Sequence, residues 1–272
     1  MKKLTFLLAA MTLALSALPA IAGVVINQKQ NVTSGTNVRD SEQTMMVQGN
    51  KQKIISERHI IITDLDKGML YILNPADKTY FQIDFPPTGA MGSMMAASTA
   101  SSMNFKKSGD THDIAGYKCT DYQGSGHTMS GDFTIKECFS QNAPGASEFT
   151  SFQKIMASKL KASGAAPIAA TSEIPEGVPL SSDSTMKMGK VQLPGMSPEQ
   201  TAKISQMMAN RPPIVNKTVV TKIVAQNLPA DTFAVPAGFS KKDLPSAPAG
   251  MGGMHMGGAP GAAPSAAAPM PH

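Results

Sequence analysis

From Val24 to Phe85 the chain is a series of short β-branched or alternating apolar runs, each closed by turn residues. Val24-Val25-Ile26 opens a strand that runs to about Thr33. Thr44 to Gln48 is a second, ending at Gly49-Asn50, and Lys53 to Ser56 continues after that turn. His59-Ile60-Ile61-Ile62-Thr63 stops at Asp64-Leu65-Asp66-Lys67-Gly68, and Met69 to Leu73 stops at Asn74-Pro75-Ala76-Asp77. Tyr80 to Phe85 alternates, with Phe81, Ile83 and Phe85 on one face. Short strands at regular spacing with tight turns predict an antiparallel meander rather than βαβ units.

The pattern then changes. Residues from about 86 to 103 are Met, Ser and Ala-rich and read as a flexible insert. Strand signals resume around Asn104 to Ser108. Tyr117 to Tyr122 and Phe133 to Cys138 alternate on either side of the turn-rich stretch QGSGHTMSGD, which predicts a hairpin. Pro144 to Lys161 changes the period to that of a helix. Phe149, Phe152, Ile155, Met156 and Leu160 fall on one stripe, with Lys154, Lys159 and Lys161 outside it. Such a stripe must be buried, and its natural partner is one face of the sheet. Gly177 to Lys190 reads as a further strand. Ser197-Pro198-Glu199-Gln200 is a capping box with Pro at the first helical position, opening a short helix that carries Ile204, Met207 and Met208. Ile214 to Asn227 is a long β-branched strand.

The ends lie outside this pattern. Lys2 and Lys3, the apolar stretch Leu4 to Leu18 and the small residues around Ala20-Ile21-Ala22 make a secretory signal peptide over residues 1–22, cleaved after Ala22. The apolar run is short for an uncleaved anchor and ends in Pro19. The expected product is a periplasmic protein that does not span the membrane. Residues 245–272 are Pro, Ala, Gly and Met with almost no means of building a core, and read as a disordered tail. Residues 23–244 are left as a single β-rich domain.

Composition narrows the function. Without Lys2 and Lys3, 22 basic residues face 19 acidic ones, a net charge near +3. With the lysines scattered, that excludes a nucleic-acid footprint. The two cysteines, Cys119 and Cys138, are expected to form a disulfide in an oxidising compartment, free thiols being the alternative. In one register of the hairpin they face each other.

Several pieces, in order, resemble a known family: GMLYILNPADKTY (Gly68–Tyr80), IAGYKC (Ile114–Cys119), the helix around Phe149–Leu160, GVPL (Gly177–Leu180) and LPADTFAVPAGF (Leu228–Phe239). The chain resembles the LolA/LolB lipoprotein-carrier superfamily, and more narrowly a bacterial exported domain-of-unknown-function family within or near it. The resemblance implies a mainly β fold with α: a curved antiparallel sheet, an incomplete LolA-like β-barrel, covered by one or two amphipathic helices. It also implies a hollow that holds lipid acyl chains.

No catalytic constellation is visible. There is no G-x-S-x-G, H-E-x-x-H, phosphate loop or nucleotide fingerprint. His59, His112 and His127 are isolated, and Ser125 beside His127 lacks a third group. Asp64-Leu65-Asp66-Lys67-Gly68 has lysine where a calcium loop needs an oxygen ligand and reads as a β-turn. The expectation is a non-enzymatic monomer without cofactor, binding a lipid or other apolar ligand through Phe149, Phe152, Ile155, Met156 and Leu160. One alternative is copper handling: Met251, Met254, His255 and Met256 offer the thioether and imidazole ligands that suit copper(I). Another is an envelope protein-interaction module.

Overall fold

The computed structural model describes residues 23–88, 105–128, 131–163, 175–189 and 197–243. The expected leader over 1–22, the expected insert at about 86–103 from residue 89 onward, and the expected tail with Met251, Met254, His255 and Met256 lie outside the described residues. Twelve strands form one open, curved sheet. They are β1 (Gly23–Ser34), β2 (Asn37–Gln48), β3 (Lys51–Ser56), β4 (Ile60–Asp64), β5 (Met69–Asn74), β6 (Thr79–Asp84), β7 (Lys106–Ile114), β8 (Tyr117–Thr128), β9 (Gly131–Ser140), β10 (Val178–Met188), β11 (Ile214–Gln226) and β12 (Ser240–Lys241). Helix α1 (Ala146–Ala162) follows β9, and α2 (Pro198–Ala209) precedes β11.

The first six strands run as the antiparallel meander that the alternation predicts. The order across the sheet is β12-β6-β5-β4-β3-β2-β1-β11-β10-β9-β8-β7. The last long strand thus closes beside the first and joins the two halves. The sheet is mixed rather than wholly antiparallel, because β12 pairs parallel to β6. Among the described residues β7 has no further strand partner beyond it, although it approaches β11. The barrel stays open.

Registers show why the apolar positions sit where they do. Ile26 pairs with Met45, Met45 with Ile54, Ile54 with Ile61, Ile61 with Ile72, and Ile72 with Phe81. One apolar row therefore crosses six strands on a single face, and a slip of one residue in any strand would turn its members to the other side. Helix α1 packs on this face against β1, β2 and β10. Phe149 and Phe152 are buried there with Val24, Val47, Val178 and Leu180. Ile155, Met156 and Leu160 lie half-buried against the same core.

The start of α1 depends on one glycine. Gly145 is left-handed at φ 75°, and a Cβ there would lie 2.4 Å from the Cβ of Val24. Only glycine lets the chain turn into the helix this close to β1. The Glu148 side chain, in the first turn, accepts a hydrogen bond from the Gly49 N–H and ties α1 to the β2–β3 turn. Lys159 and Lys161 in the last turn complement the helix dipole.

The opposite face of β3–β6 is covered by the chain after β11. Leu228 and Phe233 are buried against Ile62 and Leu73, with Tyr71, Tyr80, Val235 and Phe239 around them. A 3-10 turn over Ala230–Phe233 shapes this strap. The Lys53 ammonium donates to the Thr232 carbonyl at 2.9 Å, and Leu228 N–H donates to Gln48 Oε1 at 2.7 Å. Burial pushes the Lys53 pKa down, partly opposed by Asp231. The LPADTFAVPAGF stretch is thus a structural strap that ends by adding β12 to the sheet.

Candidate functional site

Strand β9 is the element on which the site is built. Its alternation sends Ile135, Glu137 and Phe139 toward α1, and Thr134 and Lys136 to the other side. The N-terminal half of α1 faces the first set without closing on it. A groove of about 310 Å³ remains, lined by Phe105, Ile135, Glu137, Phe139, Phe149 and Pro179, with Thr150, Gln153 and Lys154 from the helix and Pro175 and Gly177 beside them. Phe139 is held from two sides by edge-to-face rings, Tyr122 at 5.6 Å and Phe105 at 6.5 Å between centroids. Such pairs fix ring orientation as well as adding contact.

Two polar contacts set the width of the groove. The Gly177 N–H donates to Thr150 Oγ1 at 2.8 Å, and Lys154 Nζ meets Glu176 Oε1 at 2.6 Å across exposed surface. Both join α1 to the chain entering β10. Inside, burial pushes the Glu137 carboxyl above its usual range, and a hydrogen bond with Ser182 opposes the shift only in part. An apolar-walled space with one easily protonated carboxyl can hold a hydrocarbon chain and offer a single hydrogen bond to a polar atom on it.

Of the five stripe residues expected to touch ligand, only Phe149 lines this groove. Phe152 is fully buried against the sheet, and Ile155, Met156 and Leu160 pack toward the core. Sequence reasoning missed Phe105, Ile135, Glu137 and Phe139. The alternation of Phe133, Ile135 and Glu137 on one side of β9 was the available signal, but nothing local says that a helix stops short of it.

The cysteines are joined, with Cα atoms 5.3 Å apart and both side chains buried. They do not face each other in the ladder, since Asp121 stands opposite Cys138. The bridge is diagonal. The hairpin is also longer than its turn residues imply: β8 continues through Ser125 and His127, opposite Thr134 and Asp132. His59 precedes β4, where its carbonyl accepts from the Ser56 N–H and hydroxyl. His112 Nε2 lies 2.9 Å from Asp121 Oδ2, which Lys136 also reaches at 2.7 Å. Desolvation pushes Asp121 up, but the hydrogen bonds from Lys136 and His112 outweigh it and hold the carboxyl below its usual range. Asp64 accepts from the Lys67 N–H in a tight turn closed by Gly68. Among the described residues no group of three or more His, Cys, Asp or Glu could hold a metal ion, and no helix is long and apolar enough to cross a membrane.

This is an open β-sheet domain with one helix packed on a face of it. The chain belongs to the family described as "Domain of unknown function (DUF4412)", which it matches over residues 25–170, from β1 through α1. A comparison with curated protein sequences finds no match. Among solved structures it is similar to one titled "Structure of PNGF-II in C2 space group", at 8% identity and TM-score 0.39, covering 82% of this chain but spanning only 31% of that one. It is similar to a putative outer membrane lipoprotein-sorting protein domain from Vibrio parahaemolyticus, at 8% identity and TM-score 0.34, covering 79% of this chain and 91% of that one. A LolA superfamily protein from Nitrosomonas europaea matches at 8% identity and TM-score 0.29, over 80% of this chain and 91% of that one.

Proposed function

We propose that the chain is an exported, non-catalytic binding protein that holds a lipid acyl chain or another apolar ligand in the groove between α1 and strands β9 and β10. The groove carries this reading: about 310 Å³ of space walled by Phe105, Ile135, Phe139, Phe149 and Pro179. Cores normally fill such space. A leader peptide and a buried disulfide fit a protein that works outside the cytoplasm. A space of about 310 Å³ with ring and proline walls suits a hydrocarbon chain better than a globular partner.

The experiment is a titration with the fluorescent acyl probe dansyl-undecanoic acid. The wild-type chain binds it saturably, and unlabelled palmitate displaces it. Ile135→Lys, which puts a charge on the groove wall, weakens binding by at least about tenfold, equivalent to about 1.4 kcal/mol. Absence of saturable binding, or equal binding by wild type and Ile135→Lys, refutes the proposal.

A further inference from the structure

The same strands border a second and larger space, which meets the groove at Ile135. A cleft of about 660 Å³ opens between the edge strand β7 and β10, across β8 and β9. Its chemistry is opposite to that of the groove. Strand registers place Lys106, Gln123, Lys136, Asp183 and Lys217 in one row across five strands. The neighbouring row holds Ser125, Thr134 and Thr185. Except for Lys217, all of these line the cleft, together with Lys107 and Ser108.

The charges do not cancel. Lys136 donates to Asp121 at 2.7 Å and also feels Asp110, while Lys217 stands 3.7 Å from Asp183. Lys106 and Lys107 make no ion pair among the described residues, so the surplus positive charge rests on them. Lysines on an edge strand also discourage pairing with other chains. That role needs only exposure, and does not account for a row of hydroxyls and an amide converging on the same cleft.

We propose that this cleft is a binding site for a phosphate-bearing ligand, held by the ammonium groups of Lys106 and Lys136, with Lys107 at its rim, and by hydroxyl donors from Ser125, Thr134 and Thr185. A phosphate has several acceptor oxygens and close to two negative charges, so it can use donors spread over two rows and four strands. A lone carboxylate is satisfied by fewer. Lysine serves here as a point charge, without the fixed fork that arginine would impose. The site differs from the apolar groove in the chemistry of its lining, although Ile135 borders both.

Calorimetric titration of the full chain with pyrophosphate at low ionic strength tests the proposal, beside co-sedimentation with phosphatidylglycerol or phosphatidylcholine vesicles. Saturable binding of pyrophosphate supports a free phosphate compound. Binding to phosphatidylglycerol vesicles alone supports a lipid headgroup as the source. In either case Lys106→Gln/Lys107→Gln weakens binding by at least about tenfold, and Lys106→Arg/Lys107→Arg retains it. Thr134→Val/Thr185→Val, which leaves the charge unchanged, weakens it as well. The control Lys203→Gln/Lys222→Gln removes the same charge from exposed positions elsewhere and leaves binding intact. Binding of neither probe, or an equal loss in the control, overturns the proposal.

Discussion

Reducing the Cys119–Cys138 bridge tests how much of the domain depends on one covalent link. The bond closes a loop with a sequence separation of 19. Loop-closure entropy for that length amounts to about 3 kcal/mol at 25 °C. The native state has little to add to this. Both sulfurs sit in a packed core, and a buried thiol behaves as a small hydrophobe that needs no partner. Reduction therefore acts mainly on the unfolded chain. Urea unfolding with and without a thiol reductant reads the difference directly. The expected result is a drop of about 3 kcal/mol with a modest rise in the denaturant slope, because the reduced unfolded chain exposes more surface. Cys119→Ala/Cys138→Ala loses somewhat more, since it also leaves two small cavities. A loss below about 1 kcal/mol would refute the reasoning, as it would mean that the unfolded chain gains little freedom when the link is cut.

Two further outcomes are expected. Phe152→Ala removes the fully buried ring that seats α1 on the sheet, and costs about 3–5 kcal/mol in urea unfolding; a loss under about 1 kcal/mol would show that the helix is not anchored there. Glu137 has its pKa raised in the folded protein, so the native state holds its proton more tightly than the unfolded chain. Stability then falls as pH rises past the ordinary glutamate value of 4.5 toward the raised one, and stays lower above it. Glu137→Gln flattens that part of the pH–stability curve, and an unchanged slope would exclude Glu137 as its source.

Where one face of a strand meets the core, the strand was legible. Val24 to Ile26, Ile60 to Thr63 and Tyr80 to Phe85 declare themselves by alternation, and the stripe through Phe149 and Phe152 declares α1. Strands built on polar residues were not. β2 begins at Asn37, seven residues before its first apolar run, because β1 pairs along its whole length and side chains such as Asn31 and Asp40 bond across the ladder at 2.7 Å. β7 is polar almost throughout, KKSGDTHDI, and forms because β8 offers an edge to pair with. In both strands the backbone ladder decides; strand signals at Asn104 to Ser108 mark only the start of β7, and hydrophobic period does not show the rest. The groove was hidden for a different reason. It joins Phe105, the β9 positions from Ile135 to Phe139, the start of α1 and Pro175 to Pro179, which only the tertiary fold brings together.

The groove exists because of what β10 leaves out. On the face that carries α1, Ser182 and Ser184 stand in register with Glu137 and Ile135. In the six-strand row from Ile26 to Phe81 the same face carries isoleucine, methionine and phenylalanine. Serine supplies too little volume to meet a helix at ordinary packing distance. Ser182 instead gives the Glu137 carboxyl the hydrogen bond that makes its burial tolerable. Larger apolar residues at Ser182 and Ser184 would suit a domain selected for stability alone. Retaining two small hydroxyls and a desolvated carboxyl beside a ring-lined wall sacrifices packing at one place, and binding sites are where such sacrifices collect. The neighbouring cleft shows the same economy in reverse: Lys106 and Lys107 bring surplus charge to a cleft whose remaining carboxylates are already matched. The two departures from ordinary packing and charge balance meet on β9, where Ile135 borders both, and the Cys119–Cys138 bridge sits near the end of that strand.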